Sequence, residues 1–183
     1  VNIELMVEKN RDILETLVQE TVQKIYNTYR EYKGQVDIFY VAFSGGKDSV
    51  VALDLVQRAI PHNEFVVIFG DTRMEFPDTY KVVEIEKAFC ESAGIEFYIS
   101  RSELTPQQTW RCFGPPATSN RWCCSVHKTS PQIKLLRKIT GKHDFTGMAF
   151  TGIRADESLS RSEYDSVSEG QKHSGQMSCH GIL

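Results

Sequence analysis

Six consecutive residues, Ser44-Gly45-Gly46-Lys47-Asp48-Ser49, have the types and spacing to grip an anion. Two glycines let the backbone turn sharply and bring its N–H groups close to a ligand with no Cβ in the way. Ser44 and Ser49 add hydroxyl donors, and Lys47 adds a mobile positive charge. A phosphate fits this set. It is not the Walker pattern Gly-x-x-x-x-Gly-Lys-[Ser/Thr], because Gly45 stands two residues before Lys47, not five.

The elements around the loop strengthen that reading. Ile38 to Phe43 (IFYVAF) is a short apolar run of the kind a strand covered on both faces needs. From Val50 the apolar residues Val51, Leu53, Leu55, Val56 and Ile60 predict a largely buried helix, which Pro61 ends. The glycines therefore lie between a strand and a helix N-terminus, where unpaired N–H donors and the macrodipole favour negative charge.

The same alternation continues. Glu64 to Phe69 and Ile95 to Ile99 predict further buried strands, and a helix opened by Phe76-Pro77 and ended by Gly94 lies between them. Phe145 to Thr151 predicts a fourth strand, preceded by a helix from Ser130-Pro131 to Gly141, and Met177 to Leu183 the start of a fifth. Strands separated by helices imply right-handed crossovers and a parallel sheet. Residues 100–128 show no sustained periodicity and predict a long loop. Ser168 to Gln176 (SEGQKHSGQ) predicts a surface segment. Residues 2–33 predict one long helix or two broken ones. Leu14, Leu17, Val18, Val22, Ile25, Tyr26, Tyr29 and Tyr32 share a face there, read as packing against the rest of the chain.

In parallel sheets ligands bind beyond the carboxyl ends of the strands. Four segments converge there: SGGKDS, GDTRMEFPDTY from Gly70, the long cysteine-bearing loop, and GIRADESLSR from Gly152. Arg154 and Arg161 suit bidentate contacts with phosphate or sulfate oxygens, and Arg121 and Lys128 add positive charge. Asp71 orients a ribose or a cation, or caps a turn; both readings stand at this point.

These segments resemble those of the sulfonucleotide reductases, the PAPS/APS reductase family within the N-type ATP pyrophosphatase, or adenine nucleotide alpha hydrolase, superfamily. Ser44 to Ser49 is similar to the superfamily's pyrophosphate loop. Asp71-Thr72 with Phe76-Pro77-Asp78-Thr79-Tyr80 resembles the family's Asp-Thr…Phe-Pro-Glu-Thr-Tyr, with Asp for Glu at 78. Gly152-x-Arg154-x-x-Glu157-Ser158-x-x-Arg161 matches the family's Gly-x-Arg pattern, and Cys123-Cys124-x-x-x-Lys128-x-x-Pro131 resembles its iron–sulfur branch.

The resemblance implies an α/β fold, a Rossmann-like parallel sheet of about five strands with helices on both faces. Residues 1–34 are expected as a helical extension and 35–183 as the nucleotide-binding domain. It implies reduction of PAPS or APS to sulfite in sulfur assimilation, with thioredoxin or glutaredoxin as reductant. The alternatives are an ATP-cleaving sulfur-transfer enzyme of the DNA phosphorothioation kind, an ATP sulfurylase-like subunit, or a nucleotide-binding module without catalysis. Nucleic acid is a partner only in the first of these.

The family's nucleophile lies in a C-terminal Glu-Cys-Gly-[Ile/Leu]-His motif. Ser178-Cys179-His180-Gly181-Ile182-Leu183 departs from it, with no Glu before Cys and with His before Gly. Cys179 is therefore read as a strand residue, and the tail with its nucleophile is expected beyond Leu183. A [4Fe-4S] cluster needs four ligands. Cys123 and Cys124 would supply two and Cys112 a third, the fourth being Cys179, His127 or a residue beyond the end. His127 stands where the reductases carry Arg, so an intact cluster is expected only in a full-length protein; the other reading is two reduced loop thiols.

Composition sets the bounds. The chain has 183 residues, 40% hydrophobic and 25% charged, which fits one globular domain with its own core. A net charge of −3 gives no general affinity for nucleic acid or membrane, although it leaves a local basic patch possible. The acidic, amphipathic start is unlike a signal peptide, and five cysteines without regular spacing do not form a disulfide scaffold. A cytoplasmic, reducing location is expected.

Overall fold

The computed structural model describes residues 2–117, 121–153, 167–169 and 176–179. Helices α1 (Ile3–Lys9) and α2 (Arg11–Tyr32) lead into β1 (Ile38–Phe43), α3 (Lys47–Ala59), β2 (Phe65–Asp71), α4 (Pro77–Ala93) and β3 (Glu96–Arg101). Then come α5 (Pro106–Phe113), α6 (Trp122–Cys124), a π-helical turn (Ser125–Thr129), α7 (Ser130–Thr140), β4 (Gly147–Phe150), β5 (Val167–Glu169) and β6 (Gln176–Cys179).

The strands form one six-stranded sheet in the order β3-β2-β1-β4-β6-β5. β1 pairs in parallel with β2 (Val41 opposite Val67) and with β4 (Val41 opposite Phe150). β6 continues the parallel set beside β4, whereas β5 returns antiparallel on the outer edge. Strand order reverses between β1 and β4, so the loops leaving those strands flank the crevice where such sheets bind ligands.

Alternation along the strands feeds two cores. Phe39, Val41 and Phe43 face α2, α3 and α4, and meet Ile25, Tyr29, Leu53, Val56 and Phe150. Ile38 and Tyr40 face the other way, toward Leu136 of α7, Phe145 and Ala149. Each such side chain, taken from water, contributes about 1.5–3 kcal/mol before entropy is subtracted.

Four expectations change. α3 starts at Lys47, not Val50, because Gly46 already serves as its N-cap. The stretch 100–128 is not a continuous loop: Pro106 opens α5, with a capping box between Thr105 and Gln108. The segment predicted at 168–176 contributes Ser168 and Glu169 to β5 and Gln176 to β6, which makes the sheet six-stranded and not wholly parallel. The apolar face of α2 is buried only in its second half. Ile25 and Tyr29 lie in the core, the Tyr29 ring 5.2 Å from that of Phe39, while Leu17 is 53% exposed. Among the described residues no helix is long and apolar enough to cross a membrane.

Candidate functional site

Gly45 sets the shape of the loop after β1. Its φ of +76° belongs to the left-handed region, and a Cβ there would lie 2.7 Å from Thr79 Cγ2 on α4. The start of α4 is thus seated directly on the loop. A ring of hydrogen bonds braces the turn: Gly46 N–H donates to Ser44 Oγ (3.4 Å), Ser44 Oγ–H to Ser49 Oγ (3.2 Å), and Ser49 Oγ–H to the Gly46 carbonyl (2.8 Å). The two hydroxyls expected to face a ligand therefore also set the loop's shape. The N-cap of α3 is Gly46, which has no side chain to cap the first turn, and Lys47 is exposed beside it. An N-terminus presented in this way attracts an anion.

Asp71, at the end of β2, is buried but heavily hydrogen-bonded. Its Oδ1 accepts from Arg73 N–H and the Tyr80 hydroxyl (2.8 Å each), and its Oδ2 from Arg101 Nε (2.8 Å) and Nη2. Burial pushes the carboxyl up, but the Arg73, Tyr80 and Arg101 donors outweigh it and hold the carboxyl below its ordinary value. Tyr80 responds in the opposite sense: burial and then Asp71 push its phenol up to about 12. With its lone pairs engaged, Asp71 fits the turn-capping alternative better than the ligand-binding one. Thr72 braces the same turn, donating to Glu75 Oε1 at 2.9 Å and accepting from Met74 N–H at 3.1 Å. Arg73 takes a left-handed φ of 59° there, and its Nη2 donates to the Ser102 carbonyl.

Lys128 reaches the site from a different element. The π-helical turn inserts one residue ahead of α7, and its closing bond runs from Ser130 N–H to the Ser125 carbonyl. His127 is thereby turned into the protein and Lys128 toward a cleft of about 200 Å³ shared with Ser44, Phe43, Gly70, Glu75 and Gln132. Gly152 follows β4, across the change of strand order from Ser44. Arg121 is not among the residues lining that cleft; its Nη2 lies 3.7 Å from Cys124 Sγ. Arg154 and Arg161, with Glu157 and Ser158, lie outside the described residues.

The cysteines separate into two kinds. Cys90 and Cys179 are buried; burial and then Glu86 and Glu91 push the Cys90 thiol up to about 11, and burial pushes Cys179 up. Cys179 is a strand residue, as expected. Cys112 is exposed on α5, and Cys123 and Cys124 are half-buried on α6. Among the described residues no three His, Cys, Asp or Glu side chains are grouped to hold a metal. The described part of the chain thus does not assemble a cluster site.

His127 was not singled out as a buried group by the sequence. Its Nε2 lies 3.0 Å from Thr109 Oγ1 on α5, and its ring 6.0 Å from that of Trp122. Because Thr109 donates to the Pro106 carbonyl (2.9 Å), the imidazole serves as donor to the Thr109 oxygen. Burial, and secondarily Arg73, lowers the His127 pKa.

A glycine-rich loop at a helix N-terminus, a cation across a cleft from it, and an alpha/beta sheet open at the right rim narrow the kinship. The phosphoadenosine phosphosulfate reductase domain profile matches residues 38–183. The chain belongs to that family. An uncharacterized protein of Methanocaldococcus jannaschii, MJ0066, is 34% identical over 159 residues, covering 86% of this chain and 31% of that protein. An adenosine 5'-phosphosulfate reductase of Halalkalibacterium halodurans is 27% identical over 150 residues, 81% of this chain and 60% of the relative. This family member thus spans about a third of the former and three-fifths of the latter. The crystal structure of a PAPS reductase from Candida auris, a phosphate complex, shares the fold, with a TM-score of 0.57 at 18% identity over 98% of this chain and 78% of that one.

Proposed function

We propose that this protein is a sulfonucleotide reductase that takes PAPS or APS and yields sulfite. The observation that supports it is the pairing of the Ser44–Ser49 loop with Lys128 across one cleft, in a chain of this family. The loop and the α3 N-terminus hold the phosphate, Lys47 and Lys128 neutralise charge on it, and Arg154 and Arg161 clamp the sulfonucleotide. In the reaction a cysteine thiolate attacks the sulfonate sulfur. An S–S bond forms as the S–O bond to phosphate breaks, and the nucleotide leaves with the electron pair. A dithiol of the thioredoxin or glutaredoxin type then attacks the cysteine sulfur, releasing sulfite and forming a disulfide on resolution.

Cys90 and Cys179, buried and with raised thiols, are unsuited to that attack. In this reading the nucleophile comes from sequence beyond Leu183. Cys123 and Cys124 are the pair through which a [4Fe-4S] cluster would be held in a longer protein, and the chemistry above does not call on one.

Two measurements test the reading. Calorimetry with PAPS, APS and ATP should show binding weakened by about 1.5–3 kcal/mol, tenfold or more, in Lys47→Ala and in Lys128→Ala. Equal affinities in wild type and both variants would remove the cleft from the argument. The full-length protein, supplied with thioredoxin, should release sulfite from PAPS or APS. Release of pyrophosphate from ATP without sulfite from either sulfonucleotide would establish the competing ATP-cleaving chemistry instead.

A further inference from the structure

Charge is segregated along this chain. Residues 101–142 contain eight Lys and Arg residues but one acidic residue, Glu103. The whole chain has 21 and 24, which leaves 13 basic and 23 acidic residues for the remainder. A modest net charge of −3 therefore hides a segment of +7 and a remainder of −10. The segment comprises the end of β3, helices α5 and α6, the π turn and α7.

Two adjoining grooves connect parts of these elements. Lys134 of α7 pairs with Glu103 after β3, and a groove runs from Pro131 and Lys134 to Arg101 and Leu104. Arg73, bonded to the Ser102 carbonyl, links that groove to the next, where Trp110 stands beside Met74 and Pro106. Three of the eight cations are held in ion pairs, Arg101 with Asp71, Lys134 with Glu103 and Lys142 with Asp37. Arg111, Arg121, Lys128, Arg137 and Lys138 have no carboxylate partner among the described residues. Helix α5 is anchored by Thr109, its one buried residue, so Trp110 and Phe113 are each left 50% exposed.

Unpaired cations in the same segment as half-exposed aromatic rings match a polyanion whose repeating units carry flat faces. An acidic peptide would satisfy the charges and leave Trp110 without a stacking partner. We propose that the α5–α7 face binds single-stranded nucleic acid, with a base stacked on Trp110 and phosphates on Arg111 and Lys138. The proposal is independent of the reductase reading, because none of these three residues belongs to the phosphate cleft.

The test uses labelled oligo-dT and oligo-U, followed by anisotropy and by tryptophan emission. At least one strand should bind at 50 mM salt and quench the emission. Four phosphate contacts, Lys128 being left to the cleft beside Ser44, should weaken binding about fiftyfold by 200 mM salt. Trp110→Ala should weaken it about tenfold and abolish the quenching, leaving the emission of buried Trp122 unaffected by the oligonucleotide. The double reversal Arg111→Glu, Lys138→Glu should remove binding while PAPS and APS affinities stay unchanged. DNA-only or RNA-only binding identifies the strand and supports the proposal. It is overturned if neither strand binds at 50 mM salt. It is equally overturned if polyglutamate or heparin binds as well as the oligonucleotides and Trp110→Ala makes no difference.

Discussion

A buried carboxylate is tolerable when each of its lone pairs meets a donor, and Asp71 meets that condition with Arg73, Tyr80 and Arg101. Asp71→Asn replaces one acceptor oxygen with a donor facing a guanidinium or a hydroxyl. The expected loss is about 1.5–3 kcal/mol at neutral pH, read from urea midpoints. Because the folded carboxyl is held below its ordinary value of 3.8, its contribution is complete above that pH and fades as pH falls through the folded value. The gap between wild type and variant should therefore be wide at pH 7 and narrower at pH 3; equal gaps would show that charge plays no part. Asp71 was legible in the sequence as a functional-looking residue at a strand end, but its role was not. Its donors come from Arg73, Tyr80 and Arg101, and nothing in the local pattern shows that Arg101 folds back onto it.

The stretch between β3 and α7 shows what was and was not readable at the level of elements. Its helix α5 had a local signal, Thr105-Pro106-x-Gln108, which is a capping box with proline at the first helical position. The many Pro, Gly and Ser residues further along masked it. The π turn had no such signal, because one extra residue in a helix is a tertiary adjustment made so that His127 packs on Trp122 and Thr109. That contact carries a pH dependence. Burial lowers the folded His127 pKa from 6.5, so the unfolded chain takes up a proton more readily and stability falls as pH drops below about 6.5. Comparing Tm between pH 7.5 and 5.5 should show a steeper fall in wild type than in His127→Gln. Identical slopes in the two proteins would mean that the ring titrates freely.

At the scale of the whole molecule, the sheet was readable because strands buried on both faces appear as continuous apolar runs, as in Phe65 to Phe69. β5 was not, since three residues on an outer edge need no such run. The apolar face of α2 was read as uniform, but burial begins only about halfway along it, where the helix meets the core. Removing residues 1–9 should thus change unfolding stability by no more than about 0.5 kcal/mol, since α1 buries no residue. Ile25→Ala, fully inside the core, should cost about 2–5 kcal/mol in the same assay. The edge of the sheet adds a matter of direction. β6 runs parallel to β4, so Cys179 lies level with Phe150 and, one strand further, with Val41. An antiparallel strand of that length would release the polypeptide at the opposite rim, about 13 Å away. Running as it does, β6 points the chain at the rim that carries Ser44 and Gly152, so the polarity of that one strand sets the reach of any sequence that follows it.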